Sequence, residues 1–389
     1  MPQLTKGPLS GIKVLEFGQI AAGPFAGMLF ADLGADVVKV ERPDIGDSMR
    51  EWPPFFENDD GEAYSSNFSS LNRNKRSIVI DFKSPEQLSN LRKLCAKADV
   101  IVENFRPGVL GKFGLDYKSL SQSNPRLVYC SISGYGQEGA YSQKGAFDVT
   151  IQAISGLMSV TGEEHGEPVK CGVPVADFAA GLYSAYSVVA AILQAERSGQ
   201  GAYIDCSMLA SVLGISALQT SEYYGNQVAP ARLGSAHPRN APYQGYQGSD
   251  KPFVIAAGND KLWREVCEAT ALSALADDPR FITQAMRARN QKELAAILQP
   301  VFSTQTAEAW LQEFDRRGVP CAPINNFADI LNDKAVADSG LLHELQLPNN
   351  TTTMTVGYPI KLSGYQFQIY HKPPLKGEHN HQLFEEWGV

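Results

Sequence analysis

Cysteine is scarce in this 389-residue sequence, and its arrangement argues against several kinds of protein. No CxxC pair occurs, so neither a zinc site nor a dense disulfide framework is indicated. The six cysteines are Cys95, Cys130, Cys171, Cys206, Cys267 and Cys321. Thiols scattered in this way fit a reducing compartment, and we expect a cytoplasmic protein.

Long hydrophobic runs and an excess of positive charge are also missing. The N-terminus MPQLTKGPLSG has no basic flank leading into an apolar core, and no later run reaches about 18 apolar residues without a polar interruption. The formal net charge of −8 disfavours nonspecific binding to nucleic acid or an anionic membrane, because the average field repels polyanions. We therefore expect a soluble, unsecreted protein without a nucleic-acid or membrane partner.

The short motifs of several enzyme classes are absent. There is no GxxxxGK[ST], GxSxG or HExxH, and the turn GQIAAG at 18–23 lacks the middle glycine of the dinucleotide-binding fingerprint. Glu41 ends a predicted strand, where it is better explained as a structural carboxylate beside Arg42 than as a ribose ligand. No metal site is predicted from the three C-terminal histidines, which are His371, His379 and His381.

Strand-like and helix-like segments alternate in the first half of the chain. Apolar strands that alternate with helices predict a parallel sheet covered on both faces, which is an α/β fold. Helices are predicted in GPFAGMLFADLG and over 85–98. The predicted strands are 11–18, 35–41, 77–82, 99–105, 126–133 and 202–207.

Composition divides the rest of the chain. Residues 225–250 are rich in Gly, Pro, Asn and Gln, which is typical of loops, and a smaller α/β segment follows. Short strands and loops are expected around 357–364. We predict a large domain that begins with residues 1–210, a linker at 211–250, a small domain at 251–330, and a return to the large domain at 331–389.

One carboxylate stands at the start of a long apolar segment. In VKCGVPVADFAAGLYSAYSVVAAIL, Asp177 precedes almost uninterrupted small and apolar residues. Asp is a favoured helix N-cap, so the residue is interpreted either as a cap or as a reactive group. The two roles are compatible, because the helix field is expected to lower the pKa of the carboxyl group and keep it ionised. With small neighbours around it, such a group can act as a nucleophile.

Basic residues cluster in the first third of this acidic protein. Arg42 closes a predicted strand, and Arg106 and Lys112 follow the segment VENF. Loops that leave the carboxyl ends of parallel strands meet at one edge, where ligands bind. Converging cations favour a phosphate-bearing ligand, although a solvated turn is the better explanation for each cation of NRNKRS taken alone. That turn contains Arg73, Lys75 and Arg76.

The sequence resembles the family III CoA-transferases of the CaiB/BaiF type, a group that includes formyl-CoA transferase and the carnitine CoA-transferases. The resemblance covers about residues 8–375. It rests on seven stretches in the same order, namely LSGIKVLEFGQIAAGPFAGMLFADLGADVVKVERPDIGD, NRNKRSIVIDFKSPE, ADVIVENFRPGVLGKFGLDY, GAFDVTIQAISGLMSVTG, GVPVADFAAGLYSA, GQGAYIDCSML and LKGEHN.

The resemblance implies a Rossmann-like large domain, a smaller α/β domain and an interlocked homodimer. It implies that Asp177 is the catalytic nucleophile and that acyl-CoA binds as a substrate, with no permanently bound cofactor. The implied CoA-binding residues are Arg42, Lys75, Asn104, Phe105 and Lys112. The chain departs from formyl-CoA transferase at Ala21, where that enzyme has an assisting glutamine, and the glycine-rich loop that covers its active site has no clear counterpart.

Two other functions stay open. A racemase acting on α-methylacyl-CoA is similar but carries a GHD segment whose histidine is a base, and this chain has Phe147 between Ala146 and Asp148. A noncatalytic CoA-binding protein would need the cations but not Asp177. The stretches RLGSAHPRNAPYQGYQ and FVIAAGND resemble the branch of the family that acts on short dicarboxylates with succinyl-CoA as donor, more than the carnitine or oxalate branches. The loop Ser133–Gly139 is a candidate oxyanion site. Candidate partners for a distal carboxylate are Arg232, His237 and Arg239.

Overall fold

The computed structural model describes residues 7–389, so residues 1–6 of the predicted first domain lie outside the described part of the chain. The chain divides into two compact units. The large unit contains the residues up to Leu157, Lys170–Val228 and Ala335–Val389, and the small unit contains Met158–Val169 and Ala229–Lys334. The division therefore falls at 228, whereas the predicted first segment of the large domain ends at 210.

The elements of secondary structure are as follows. The strands are β1 Lys13–Glu16, β2 Asp36–Glu41, β3 Phe55–Glu57, β4 Ala63–Ser65, β5 Lys75–Val79, β6 Val100–Glu103, β7 Val128–Ser133, β8 Ala202–Ser207, β9 Tyr243–Gln247, β10 Pro252–Ala256, β11 Cys321–Pro323, β12 Leu342–Gln346 and β13 Thr352–Val356. The α-helices are α1 Ala22–Asp32, α2 Ser66–Asn72, α3 Pro85–Lys97, α4 Tyr117–Leu120, α5 Asp148–Ile154, α6 Val175–Ser198, α7 Met208–Ile215, α8 Ala217–Asn226, α9 Asp260–Ala269, α10 Gln284–Arg289, α11 Gln291–Phe302, α12 Ala307–Arg317, α13 Phe327–Leu331, α14 Lys334–Asp338 and α15 Asn380–Glu386. The 3₁₀ helices are Ser48–Glu51, Leu110–Phe113, Leu157–Val160 and Ser273–Asp277.

A six-stranded sheet forms the centre of the large unit, in the order β5-β2-β1-β6-β7-β8. Every neighbouring pair in this sheet is parallel. Counted along the chain, the strand order is 3-2-1-4-5-6, which is the doubly wound order of the Rossmann fold. The connections reverse direction between β1 and β6. Ligands of such sheets bind at that reversal, beyond the carboxyl ends of the strands.

Both faces of this sheet are buried, because successive residues of each strand point to opposite sides. In β1, Val14 belongs to the buried cluster that contains residues of α1 and α6, and Leu15 belongs to the cluster that contains residues of α3. Val100 and Ile101 divide in the same way in β6. The apolar strands predicted from the sequence are therefore those of a two-sided parallel sheet.

Helix α6 is the long helix predicted after Asp177. It ends at Gly199, whose φ of +74° is the left-handed C-terminal conformation that glycine adopts readily. Within residues 7–389 it is the one helix long and apolar enough to cross a membrane, and 44% of its most apolar window is buried. Buried residues of this helix, including Val188 and Ile192, pack into the core beside the sheet. A core helix passes the same test, so the result is weak evidence for a membrane span.

The small unit contains the antiparallel sheet β9-β10-β11 and helices α9–α12. Its separate core is rich in aromatic side chains. Phe302 contacts both Trp310 and Phe314 edge to face, with ring centroids 5.2 and 6.0 Å apart. These contacts give the small unit a hydrophobic core of its own.

Two segments differ from the sequence predictions. The predicted linker 211–250 contains most of α7, all of α8 and the strand β9, so only residues 227–242 have the loop character expected from Gly and Pro. The segment 357–364 forms no strand, because pairing there is limited to an isolated bridge between Leu362 and Tyr365. The strands near the C-terminus are instead β12 and β13, which pair with each other.

Candidate active site

Asp177 lies in the first turn of α6, but it does not cap this helix. Pro174 occupies the N-cap position and offers no side-chain acceptor. Asp148, the first residue of α5, accepts the amide of Ala176 through Oδ1 at 2.8 Å. The prediction that Asp177 caps its own helix is therefore wrong, and its carboxyl group is left for other contacts.

The carboxyl group of Asp177 binds protons more tightly than an exposed aspartate. Burial, with the neighbouring Asp148 carboxylate as a second cause, raises the pKa of Asp177 to about 7, and the Ala22 amide at the start of α1 partly offsets this. The expectation that the helix field keeps the pKa low is wrong, because desolvation outweighs that field. With a pKa near 7 the group titrates close to neutral pH, so both its protonated and its ionised forms are accessible there. Partial desolvation leaves its ionised form a more reactive nucleophile than a fully solvated carboxylate.

A cavity of about 400 Å³ contains Asp177, and we call it the acyl cavity. It is lined by the turn between β1 and α1, the loop after β6 and the loop after β7. These segments meet at the reversal of the sheet, which is where the fold predicts a ligand. The charged residues that line it are Arg106, Lys144, Asp148 and Asp177.

The turn between β1 and α1 is held by the side chain of Asn104, the residue that follows the neighbouring strand β6. Asn104 accepts the Gln19 amide and donates to the Gln19 carbonyl, both at 2.9 Å. A Cβ atom on Gly23 would lie 3.0 Å from Cα of Gly18, so a larger residue there would push the two segments apart. Ala21, at the position of the family's glutamine, lines the acyl cavity and offers no polar group to it.

A second cavity of about 480 Å³ lies beyond the ends of β2 and β5, and we call it the outer cavity. Its lining includes Arg42, Lys83 and Phe113. Gln19 and Phe105 line both this cavity and the acyl cavity, so the two form neighbouring parts of one cleft. The arrangement suits an elongated ligand with a reactive end at Asp177 and an anionic end at the cations.

Lys83 was missed in the sequence analysis. It follows the carboxyl end of β5 just as Arg42 follows the carboxyl end of β2, and these ends share one edge of the sheet. That rule, applied to every strand, would have found it. Lys75 begins the same strand at its amino end, which is the opposite edge.

The predicted contact between Lys75 and CoA is not supported, because its side chain is fully buried. Its Nζ lies 2.6 Å from Glu16 Oε2 and donates to the carbonyl of Pro24 at 2.7 Å and to Asn72 at 3.0 Å. Burial lowers the pKa of Lys75 to about 8, although the Glu16 carboxylate opposes this. Lys75 therefore stabilises the strand and helix behind the cleft.

The other cations of NRNKRS are also paired inside the large unit. Arg73 lies 2.6 Å from Asp32, and Arg76 lies 2.5 Å from Asp36 and 2.6 Å from Glu386. Neither a phosphate site nor a solvated turn describes this segment, because both arginines are buried. Ion pairs of this kind fix the start of β5 against its neighbours.

The remaining predicted CoA-binding residues divide into two groups. Arg42, Asn104 and Phe105 line the cleft, with Arg42 also paired to Asp44 at 3.0 Å. Lys112 is exposed on a 3₁₀ helix, one residue before Phe113 of the outer cavity. Its contact with CoA stays a prediction.

The residues suggested for a distal carboxylate have other partners in the small unit. The guanidinium group of Arg232 donates to the carbonyl groups of Glu163 and Gly166, at 3.3 and 3.0 Å. His237 accepts the amides of Arg239 and Asn240 through Nδ1, both at 3.1 Å. In the large unit, Arg106 and Lys144 are the cations that share the acyl cavity with Asp177.

The loop suggested as an oxyanion site has two of its amides occupied. Gly136 donates to Ser133 Oγ at 2.9 Å, and Gln137 donates to Asp205 at 2.8 Å. Gln19–Ala22 line the cavity together with Asp177. The Gln19 and Ile20 amides are also occupied, by Asn104 and Asp47, but the Ala22 amide at the start of α1 faces Asp177 and is a candidate for stabilising developing negative charge.

Strand-end carboxylates and histidines have structural partners. Glu41 binds Arg50 at 2.6 Å, and Ser77 Oγ donates to it at 2.5 Å, so it is a structural carboxylate as expected. His379 accepts the Ser77 amide at 3.3 Å. Among residues 7–389, no group of three or more His, Cys, Asp or Glu side chains is placed to hold a metal ion.

The fold and the cleft together are those of an α/β enzyme of acyl transfer, with one largely buried carboxylate in the cleft. Comparison with known families supports this class. The model of CoA-transferase family III matches residues 9–380, and the chain belongs to this family.

Individual relatives agree with the family assignment. The chain is 41% identical to the succinate–glutarate CoA-transferase of Agrobacterium fabrum, covering 98% of this chain and 96% of that protein. It is 37% identical to human succinyl-CoA:glutarate CoA-transferase, covering 97% and 86% of the two chains. A CaiB/BaiF family protein from Brucella suis has a similar crystal structure, with a TM-score of 0.88, 38% identity, and 98% and 100% of the chains covered.

Proposed function

We propose that this CoA-transferase moves CoA from succinyl-CoA to a short dicarboxylate such as glutarate. The observation that carries the proposal is that Asp177 shares its cavity with two cations, Arg106 and Lys144. Neither cation forms an ion pair with a carboxylate within residues 7–389. A dicarboxylate places one carboxyl group at the nucleophile and leaves the other for a cation. The names of the relatives support the same substrate class.

The reaction proceeds through two kinds of covalent intermediate. The Asp177 carboxylate attacks the carbonyl carbon of succinyl-CoA, and the C–S bond breaks to give a mixed anhydride and CoA thiolate. The thiolate attacks the Asp177 carbonyl carbon of the anhydride, which releases succinate and leaves an aspartyl-CoA thioester. The acceptor carboxylate attacks this thioester and displaces the thiolate, which then attacks the new acyl group. The products are the new acyl-CoA and free Asp177.

The cleft supplies positioning for this sequence. A carboxylate is a weak nucleophile. Holding it in line with a thioester lowers the activation barrier by up to about 7–11 kcal/mol in well-oriented cases. The CoA thiolate stays in the cleft between steps, because the outer cavity holds the other end of CoA. Water must be excluded from the acyl cavity, since it hydrolyses the anhydride.

The first experiment measures exchange with a panel of acyl-CoA donors and carboxylic acid acceptors, read by mass spectrometry. We expect succinyl-CoA with glutarate to react at least 10-fold faster than butyryl-CoA with butyrate. Arg106→Met, which keeps an unbranched side chain but removes the charge, should lower kcat/KM for glutarate and leave the value for butyrate within 2-fold. Exchange limited to monocarboxylates would overturn the dicarboxylate assignment.

The second experiment follows Asp177 directly. Trapping with hydroxylamine or borohydride during turnover, followed by peptide mapping, should label Asp177. Asp177→Asn should lower kcat by about 10³-fold or more while CoA still binds in calorimetry. A noncatalytic CoA-binding protein would give no labelled peptide, and Asp177→Asn would leave its CoA binding and its function unchanged.

A racemase function is disfavoured by the side chain that stands where α-methylacyl-CoA racemases have the histidine of their GHD segment. Phe147 lines the acyl cavity, and its phenyl ring cannot accept a proton. A racemase would exchange the α-hydrogen of 2-methylacyl-CoA with deuterium from the solvent. We expect no such exchange above the rate without enzyme.

We further propose that the protein is a homodimer, as its family resemblance implies. Large apolar side chains are exposed along α6 and α8, including Tyr186, Leu218 and Tyr224. Exposed apolar surface of this kind is typical of interfaces between subunits. Light scattering after size-exclusion chromatography should give about twice the mass of one chain, and a monomer would contradict the proposal.

The proposed setting is the cytoplasm, with CoA as a substrate and no permanently bound cofactor. All six cysteines are free, and Cys95, Cys130, Cys206 and Cys267 are buried. Free thiols fit a reducing compartment. Fractionation of the source cells, followed by mass spectrometry of the native protein, tests both parts of this proposal.

A further inference from the structure

The cleft contains a residue in an unfavourable backbone conformation. Ile20 has a φ of +65°, which is the left-handed region that β-branched residues avoid because Cβ crowds the backbone. It lies in the turn between β1 and α1 and lines the acyl cavity. Such a conformation persists only where surrounding contacts hold it.

A buried carboxylate holds this turn. Both oxygens of Asp47 face the Ile20 amide, at 3.1 and 3.3 Å. Asp47 also lies 2.8 Å from Nζ of Lys39, and both side chains are fully buried. Lys39 in turn donates to the carbonyl of Gly18 at 2.7 Å. One buried ion pair therefore binds the turn on both sides of Gln19.

Several contacts stabilise the negative charge on Asp47. Although burial opposes it, contact with Lys39 and with the Met49 and Ile20 amides holds the pKa of Asp47 below its usual value. Lys39 contacts a second carboxylate, Glu16, at 2.8 Å. The ion pair is thus part of a connected network, which is rigid when every member has its partners.

The turn fixes the amide that faces the nucleophile. Two residues after Ile20 the chain enters α1 at Ala22, whose amide lies against the Asp177 carboxyl group. We propose that Asp47 is a positioning residue for the transfer reaction. By holding Ile20 in its left-handed conformation, it places the start of α1 against Asp177. This inference rests on the proposed function.

The central variant is Asp47→Asn, compared with Asp32→Asn. Asp32 is also a fully buried carboxylate paired with a cation, Arg73, but it lies at the other end of α1. We expect Asp47→Asn to lower kcat by 30-fold or more, with KM for succinyl-CoA within about 3-fold, because Arg42 and Lys83 are untouched. Asp32→Asn should keep kcat within about 3-fold. Equal losses in the two variants would overturn the inference.

A second variant leaves the ion pair intact. Proline at position 20 has no amide hydrogen, and its φ is fixed near −65°, so Ile20→Pro excludes the observed turn. It should lower kcat as Asp47→Asn does while CoA binding in calorimetry stays within about 3-fold. This variant decides the question if Asp47→Asn does not fold. Wild-type kcat in Ile20→Pro would overturn the inference.

Coupling between the two residues gives the sharpest test. Glycine adopts a positive φ without strain. The fold loss of kcat caused by Asp47→Asn should therefore be at least 5-fold smaller in an Ile20→Gly background than in the wild-type background. Ile20→Ala is the matched control, because it removes the side chain and keeps the backbone penalty, and there the loss should stay. Independent effects in both backgrounds would contradict the inference.

The same experiments separate this inference from the proposed function. If trapping never labels Asp177 in the wild type, the proposed chemistry fails. If the wild type is labelled, and Asp47→Asn is labelled at the same rate in a single turnover, the chemistry stands and the role of Asp47 fails. We expect labelling in both proteins, at least 30-fold slower in the variant.

Discussion

Asp148 accepts the amide of Ala176 at 2.8 Å, so the group that caps the active-site helix comes from another helix. The same carboxylate is the second cause, after burial, of the raised pKa of Asp177. Capping by Asp148 leaves Asp177 free of its own helix amides. Asp177, the proposed nucleophile, is thereby positioned by tertiary contacts and not by a local cap.

The first prediction concerns Asp148→Asn. The amide oxygen of Asn still accepts the Ala176 amide, but the negative charge beside Asp177 is lost, so the pKa of Asp177 should fall. Attack requires ionised Asp177, and the acid limb of kcat/KM against pH should move to lower pH by about 0.5–1 unit. Glu163→Gln, a substitution in the small unit, is the control. A limb that stays in place or moves to higher pH would contradict the assignment.

The second prediction concerns the stability of Asp177→Asn. The pKa of Asp177 is raised from 3.8 to about 7. Ionising the Asp177 carboxyl group in the folded protein therefore lowers the free energy of unfolding as the pH rises through this interval. The variant lacks this cost and should be more stable than the wild type by about 1–3 kcal/mol at pH 8, a value reduced for partial exposure. The difference should vanish near pH 4. Chemical denaturation at several pH values measures it, and a difference that grows towards acid pH would refute the prediction.

The third prediction concerns Gly27 on α1. A Cβ atom there would lie 2.1 Å from Oε2 of Glu16, which is fully buried and paired with Lys39 and Lys75. Alanine is the better helix former, yet Gly27→Ala should destabilise the protein by about 2–4 kcal/mol, because the carboxylate must move from its partners. Gly225→Ala in α8, where a Cβ meets no atom within 4 Å, is the matched control and should be neutral or stabilising.

The fourth prediction concerns the cations of the outer cavity. Lys83→Ala should raise KM for succinyl-CoA about 10-fold and leave KM for succinyl-pantetheine, which lacks the nucleotide, within about 2-fold. Lys93→Ala removes an exposed lysine from α3 outside both cavities and serves as the control. An equal effect on the two substrates would place Lys83 away from the nucleotide.

Much of the large unit was predictable from local pattern. The strands over 35–41 and 202–207 and the helix over 85–98 agree with β2, β8 and α3 to within one residue at each end, because apolar strands and amphipathic helices have different periods. Helices α7 and α8 were missed within the predicted linker. Their exposed apolar side chains gave no clear signal of one buried face.

The candidate site was predicted less completely. Asp177 was identified from its place before an apolar helix and from the family resemblance. Lys75 was taken from the family resemblance and Lys83 was not considered, because the sequence does not show that Lys75 is enclosed by Glu16 and Asn72. Arg106 was placed among the converging cations, and the structure puts it in the cavity of Asp177.

The sequence by itself determined the alternation of strands and helices and the parallel sheet, since these follow from periodicity and from residue order, and its family resemblance pointed to Asp177 as the nucleophile. Only the tertiary structure decided the protonation of Asp177, because its pKa depends on burial and on Asp148, which is 29 positions away in the chain. It also decided which cations meet a ligand. A cation that is buried against carboxylates, as Lys75 is against Glu16, is not available to a ligand, and such partners are distant in the sequence.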